Sequence, residues 1–383
     1  MRILHTSDWH LGRIFHGIHL TEEQAYLLEQ FIAIAKESKP DVIVIAGDIY
    51  DRSVPPTEAI NLLDEVITRI LVDFQIPIII IAGNHDSPDR LGFGSRLLQE
   101  KGLHIYGRFS PEIAKVVIPD THGSVNFYPL TYVEPAIVRN ELQEADLQGH
   151  DQSMYRLLER IRATLEQGSR NVLISHSFVA GGEESESERP LAIGGSGAVN
   201  SAYFKDFAYV ALGHLHQAQK IGAEHIRYSG SLMKYSFSEV NHRKSVTLID
   251  LDKAGKTSIE KIELKPRHDL RKIEGYLQEI LNNASKDGSR DDYLMVTLQD
   301  EGALLDPIGM LKSVYPNIMH IERLQYTGNK SLVNPEQNFR KLKETELFSS
   351  FFQQVADREL SAEQQKIFAG TVEKYYSGLR GES

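Results

Sequence analysis

Cysteine is absent from the 383-residue chain, which excludes disulfide staples, thiolate metal sites and cysteine nucleophiles and leaves His, Asp, Glu and Asn as ligands. Long apolar runs are absent as well. The most apolar stretch, residues 76–82, is broken by Pro77 and falls far short of the ~20 residues that a membrane span needs. His5 and Asp8 interrupt the opening residues where a signal peptide requires an unbroken apolar core. The expectation is a cytoplasmic protein with no membrane segment. Basic residues are in deficit: 42 Lys and Arg against 53 Asp and Glu leave a net charge of −11, with no polybasic run. A nucleic-acid partner would have to be held by local patches or bound metal, since the overall field repels it. Proline (14) and glycine (28) are too few for a disordered or fibrous chain, and 41% hydrophobic with 25% charged residues is an ordinary globular composition. The length suits two to three domains of roughly 100–200 residues. No internal repeat of fixed period is present.

What is present, over the first 265 residues, is one recurring theme: a β-branched run, a small or turn residue, then a polar residue able to bind metal. Residues 2–7 lead to Asp8 and His10, residues 41–47 to Asp48, and residues 78–83 to Asn84 and His85. Residues 171–175 lead to His176, and residues 208–213 to His214 and His216. Continuous apolar runs of this kind predict strands covered on both faces. Helical patterns alternate with them. Thr21 and Gln24 predict a capping box ahead of Tyr26, Leu27, Phe31, Ile34 and Ala35, and Ile60, Leu63, Ile67, Ile70 and Phe74 predict a helix over 57–74. The fold class expected is α/β and layered. Ligands in such folds gather outside the carboxyl ends of the strands, where all five polar clusters fall.

Residues 181–200, rich in Gly, Ser and Glu, read as a long surface loop. Beyond Pro266 the pattern changes to a helix near Tyr276–Leu281, a strand at 293–298, a helix through Met310, Leu311 and Val314, and a strand near 318–324, together a small α+β domain. Residues 327–337 read as a tether. Phe339 to Val355 and Ile367 to Tyr376 predict two terminal helices, the second capped by Ser361 and Gln364. Two helices alone make a poor core, so their apolar faces call for a partner. The domains expected are 1–265, 266–330 and 331–383.

Asp8, His10, Asp48, Asn84, His176, His214 and His216 are too many ligands for one tetrahedral ion and suit two ions sharing a carboxylate. Asp8 and His10 are two apart, so an extended backbone would point both side chains the same way, and His214 and His216 repeat the spacing. Mixed imidazole, carboxylate and amide ligation is compatible with Mn, Fe or Zn. A pair of ions about 3.5–4 Å apart is the arrangement used for in-line phosphoryl displacement. His85, beside Asn84, is then free to act on the leaving oxygen, and Asp51 is placed to hold the His85 ring through its carboxylate. These two are the catalytic candidates. Any other single His among the 15 is read as an ordinary surface or core residue.

Asp8-Trp9-His10-Leu11-Gly12, Gly47-Asp48-Ile49-Tyr50-Asp51, Gly83-Asn84-His85-Asp86 and Gly213-His214-Leu215-His216 resemble the motifs of the calcineurin-like metallophosphoesterases. The opening dodecapeptide, Tyr228-Ser229-Gly230-Ser231 and the run Lys234–Glu239 make the chain similar to that family's DNA-nuclease branch. The resemblance implies a layered sandwich with a small capping domain and a C-terminal helix pair. It also implies two Mn ions, one on Asp8, His10 and His216 and one on Asn84, His176 and His214, with Asp48 bridging and His85 aiding leaving-group departure. The implied activity is 3′–5′ exonuclease on double-stranded DNA and endonuclease on single strands and hairpins. Implied partners are DNA, a coiled-coil ATPase docked on the terminal helices, and a second copy of the chain. Leu62 and Val66 with Leu91, Phe93, Leu97 and Leu98 are the apolar excess expected to form that homodimer. Asp51 departs from the archaeal and eukaryotic pattern, which has His there. The rival reading is a phosphomonoesterase or protein phosphatase, favoured by the pair Asp51-Arg52 but opposed by Asp86 and by the added C-terminal segments.

Overall fold

The β-branched runs form the strands expected of them, and their alternation sorts side chains into layers. In the computed structural model, which describes residues 1–191, 197–301, 304–323 and 358–380 together with Thr345, Phe348, Ser349, Phe352 and Gln353, the strands in chain order are β1 (Arg2–Thr6), β2 (Ile14–Phe15), β3 (Ile18–His19), β4 (Val42–Ala46), β5 (Ile78–Ile81), β6 (Leu103–Tyr106), β7 (Val116–Asp120), β8 (Gly123–Leu130), β9 (Arg170–His176), β10 (Tyr209–Gly213), β11 (Gln219–Ile221), β12 (Ala223–Tyr228), β13 (Ser245–Leu251), β14 (Thr257–Glu263), β15 (Leu270–Gly275), β16 (Tyr293–Leu298) and β17 (Ile318–Arg323). One sheet runs β14-β13-β1-β4-β5-β6 and a second runs β11-β12-β10-β9-β8-β7. The strands that lead into the candidate ligands, β1, β4, β5, β9 and β10, are the parallel centres of the two sheets.

Val42, Val44 and Ala46 of β4 meet Phe127, Val172 and Ile174 between the sheets, whereas Ile43 and Ile45 turn outward onto Leu27, Leu28 and Phe31. Those last three lie on α1 (Thr21–Ser38), which with α2 (Thr57–Thr68) covers the first sheet. Leu157 and Leu158 of the helix Gly149–Arg162 cover the second sheet over Leu173, Val210 and Leu212. The result is a layered helix–sheet–sheet–helix sandwich, the α/β class that the alternation of strand and helix patterns predicts. Every residue of β4, β5, β9 and β10 is buried on one side or the other, which is why these runs lack polar alternation.

Three expectations fail here. α1 begins after Leu20 with no side-chain cap, because Gln24 is wholly buried and bonded elsewhere. The pattern over 57–74 is α-helical only to Thr68 and continues as a π-turn over Arg69–Asp73. Val66 and Leu91 are core residues and Leu62 packs against the core, so the exposed apolar side chains of this face are Ile60, Phe93, Leu97 and Leu98.

Residues 270–323 form a third sheet, β15-β16-β17, all parallel, with the helices Leu277–Asn283 and Pro307–Lys312 on it and a separate core around Leu294, Val296, Leu298 and Leu311. Glu23 of α1, nearly inaccessible, receives Arg267 at 2.8 Å and His268 at 2.7 Å, and Lys234 meets Asp269 at 2.9 Å, so charged pairs mark the junction with the sandwich. Two compact units are present, Met1–Leu324 and Gln325–Ser383. The expected tether lies outside the described residues, as does all of the first terminal helix except five positions. The second is the helix Ala362–Arg380, and Ser361 and Gln364 form the predicted capping box: Gln364 N–H donates to Ser361 Oγ at 3.2 Å and Ser361 N–H to Gln364 Oε1 at 3.0 Å. Among the described residues no helix is long and apolar enough to cross a membrane.

Candidate metal centre

The loop after β1 pairs with the loop after β4 beyond the ends of both strands. Asp8 N–H donates to Gly47 O at 3.0 Å, His10 N–H to Asp48 O at 3.0 Å and Leu11 N–H to Ile49 O at 2.9 Å. Within this pairing Asp8, His10 and Asp48 have φ of 53°, 45° and 49°, and His214 has φ of 112°. The extended backbone expected to align Asp8 with His10 is therefore not what aligns them; two successive left-handed turns do so, at a strain of order 1 kcal/mol or more per residue. His214 departs from extended geometry in the same way. Glycine supplies room: a β-carbon on Gly83 would overlap the Asp48 carboxylate, and one on Gly47, itself at φ +93°, would overlap the His176 ring.

All seven expected ligands stand at the carboxyl-end edge shared by the two sheets, and all but Asn84 are nearly inaccessible. Asp8, His10 and His216 offer donor atoms within 4.8 Å of one another, and Asp8, Asp48 and His176 form a second such group. His10 Nε2 lies 3.1 Å from His216 Nε2 and 3.7 Å from Asp48 Oδ2. His176 Nε2 lies 3.0 Å from Asn84 Oδ1 and 3.4 Å from Asp48 Oδ2. The His214 ring is 5.5 Å from that of His176, and its backbone N–H donates to Asp8 Oδ1 at 3.0 Å.

Burial pushes the Asp8 carboxyl up to about 6 and holds His10 and His214 well below the usual imidazole range. Burial also opposes charge on His176 and Asp48, but each outweighs it for the other: Asp48 lifts His176 to about 9, and His176 holds Asp48 well below the usual carboxylate range. A proton on His176 thus does part of what a cation would do. His10 Nδ1 is buried without a hydrogen-bond partner. Packed imidazole nitrogens, two carboxylates and an amide oxygen fit divalent cations of the borderline class.

Of the two catalytic candidates, His85 stands as expected beside the cluster, its ring 4.7 Å from that of His10. Asp51 does not hold it by the carboxylate. His85 Nδ1 donates to the Asp51 backbone oxygen at 2.8 Å, while the carboxylate takes Arg13 at 3.1 Å and sits 3.6 Å from His10 Nδ1. The turn after Asp48 brings the Asp51 carbonyl inward, leaving its side chain to pair with Arg13, which lies over the Tyr235 ring.

Two buried residues that motif reading assigned no part at the site tie the loops. Asp86 accepts from Ile49, Tyr50 and Gly83 N–H at 2.9–3.1 Å, joining the Asp48 loop to the Asn84 loop, and burial with the nearby Asp48 charge lifts it to about 6. Gln24 accepts from Gly12 N–H at 3.1 Å and donates to His10 O at 2.7 Å, Trp9 O at 3.1 Å and Tyr235 Oη at 3.0 Å.

Two stacked sheets that present this ligand set at their common edge define a metallophosphoesterase. Residues 1–218 match the calcineurin-like phosphoesterase family, and residues 266–356 match the type 5 capsule protein repressor C-terminal domain. The SbcD subunit of nuclease SbcCD from Staphylococcus epidermidis is 35% identical over 361 residues, covering 94% of this chain and 95% of that protein. The chain belongs to the SbcD family of calcineurin-like phosphoesterases, and it is a hydrolytic phosphodiesterase. Among solved structures it is similar to a dimetal phosphatase from Danio rerio (13% identity, 69% of this chain and 96% of that one, TM-score 0.42). It is also similar to the calcineurin-like phosphoesterase YfkN from Bacillus subtilis (15%, 68% and 90%, TM-score 0.37).

Proposed function

We propose that the chain is the nuclease subunit of a complex with the SbcC ATPase, hydrolysing DNA phosphodiesters from 3′ ends of duplexes and within single strands and hairpins during DNA end processing, repair and recombination. The observation that carries the reading is the convergence of donors from Asp8, His10, Asp48, His176 and His216, with Asn84 on His176 and the His214 and His85 rings beside them, in a chain similar over nearly its whole length to a nuclease subunit. Asp8, His10 and His216 would hold one divalent ion and Asn84, His176 and His214 the other, with Asp48 shared; Mn2+ is the ion we assign. When bound, such a pair polarises the phosphoryl group and activates water at neutral pH.

The chain's own residues prepare the rest. Asp48 Oδ1 accepts the His85 N–H at 2.9 Å, fixing the backbone from which His85 reaches the site. Because its Nδ1 is committed to the Asp51 carbonyl, a proton that His85 delivers to the leaving oxygen departs from Nε2. A chain of net charge −11 needs such a local positive centre to attract a polyanion. Residues 1–265 would form the nuclease domain, 266–330 a cap that helps hold DNA, and 331–383 the tether and SbcC-binding segment, in a cytoplasmic homodimer.

Hydrolysis of bis-p-nitrophenyl phosphate and of p-nitrophenyl phosphate, each with and without Mn2+, tests the chemistry. The diester is expected to be cleaved with Mn2+ and the monoester poorly. The reverse preference would establish the phosphomonoesterase reading, and cleavage unaffected by chelator would remove the metal from the mechanism.

A further inference from the structure

We infer that Ser187 is a positioning residue for His216, relaying a buried Glu239–Lys244 ion pair to the imidazole so that the segment around Ser185–Glu188 is a working part of the metal centre. The inference rests on the reading of His216 as a metal ligand.

His216 is joined to this segment on two sides. Its Nδ1 lies 2.6 Å from Ser187 Oγ, and its backbone N–H donates to Glu188 Oε1 at 2.8 Å. Ser187 Oγ is in turn hydrogen-bonded to Glu239 Oε1, and Glu239 is completely buried. Lys244, also buried, closes the far side: its Nζ meets Glu239 Oε2 at 2.5 Å, the His216 carbonyl at 2.8 Å and Ser231 Oγ at 2.9 Å. Glu188 is held by Ser185, whose N–H donates to Oε2 at 2.7 Å.

Proton counting fixes the direction of this relay. A carboxylate paired with an ammonium only accepts, so the single Ser187 hydroxyl proton goes to Glu239. Ser187 Oγ must then accept from His216, whose proton sits on Nδ1. The bare lone pair is thereby placed on Nε2, which faces His10 Nε2 at 3.1 Å inside the ligand cluster. Glu239 Oε1 itself stands 3.5 Å from Nδ1, too far for a good direct bond, and Ser187 fills the gap. Lys244, on the far carboxylate oxygen, fixes Glu239 in place, so the Ser187 hydroxyl and through it the imidazole ring are held in one orientation. Outer partners of this kind set the tautomer and ring angle of a metal-bound histidine. Ser187 would otherwise have no reason to be inaccessible in a segment made of Ser and Glu.

The test is Mn2+ calorimetry on the full chain, with thermal melting of the metal-free protein as a second readout. The unsubstituted chain is expected to take up two ions. Ser187→Ala should weaken one of them by about 10–100-fold, as loss of an outer partner does elsewhere, while leaving the other ion unchanged. Ser187→Thr, which keeps the hydroxyl, should restore the affinity. Unchanged affinities in Ser187→Ala, equal weakening of both ions together with a lower metal-free melting temperature, or a Ser187→Thr variant as weak as Ser187→Ala would each overturn the positioning role. No uptake by the unsubstituted chain would instead defeat the metal reading beneath it.

Discussion

Asp48 is the residue on which the centre depends most, because its carboxylate touches His10, His176 and the His85 amide together. Asp48→Asn halves the oxygens that can balance two dications and places an N–H2 among imidazoles. It is expected to abolish hydrolysis and to reduce the metal measured by mass spectrometry from two ions to one or none; two ions with full activity would remove Asp48 from the shared position. His85 answers to the opposite test. Its Nδ1 is held by the Asp51 carbonyl, and its donors group with His10 and Asp51 rather than with the two groups assigned to the ions, so His85→Gln should keep both ions and lose roughly 10²–10⁴-fold in rate, and loss of metal would make it a ligand.

The pairing of His176 with Asp48 also sets a pH dependence. With His176 raised to about 9, its imidazole carries a proton in the metal-free protein at neutral pH, and a cation can occupy that position only by expelling it. Mn2+ affinity should therefore rise as pH increases toward 9, and calorimetry at pH 7 in buffers of different ionisation heat should register proton release on uptake. Binding with no proton exchanged would exclude His176 as a ligand.

At the scale of elements, the strands of the sandwich were legible because β1, β4, β5, β9 and β10 are buried on both faces and so carry uninterrupted apolar runs. The candidate ligands stand out in the sequence for a related reason: each follows directly where such a run ends. The division of those strands between two sheets was not legible, since it depends on β8, β12 and β13, whose patterns are mixed and whose partners are distant in sequence. Nor were the left-handed conformations at Asp8, His10 and Asp48 themselves, none of which is a Gly. Thr21 and Gln24 show how a local rule loses to tertiary structure. An exposed cap would give Gln24 one bond, whereas burial beneath the Trp9–Gly12 turn sets its amide against four polar groups. Asp86 works the same way between two loops, and Asp86→Ala would leave three buried amides unpaired. Each such orphan costs about 1–3 kcal/mol, so urea denaturation should show a marked loss of stability, and metal content should fall although Asp86 binds no ion.

At the scale of the whole molecule, all seven ligand candidates and the residues that support them lie within the unit Met1–Leu324. Phe93 and Leu97 are 86% and 82% exposed, so sedimentation at micromolar concentration is expected to give a dimer that Phe93→Ser with Leu97→Ser converts to monomer. The terminal segment raises a different need. Phe339, Leu342, Leu347, Phe348, Phe351, Phe352 and Val355, then Ile367, Phe368, Val372, Tyr375 and Tyr376, are far more apolar than a 45-residue tail can bury alone. Phe348 stacks on Phe368 at 3.9 Å, which uses two of them, while Ile367 is 65% exposed. The helix Ala362–Arg380, with Ile367 exposed, is suited to lie against a partner helix, and a coiled-coil ATPase would supply one. Truncation after Gln337 should therefore leave Mn2+-dependent cleavage of bis-p-nitrophenyl phosphate intact and abolish co-purification with SbcC. Lost cleavage would mean that the tail completes the active centre, and co-purification undiminished by the truncation would move the docking surface onto the sandwich or the cap.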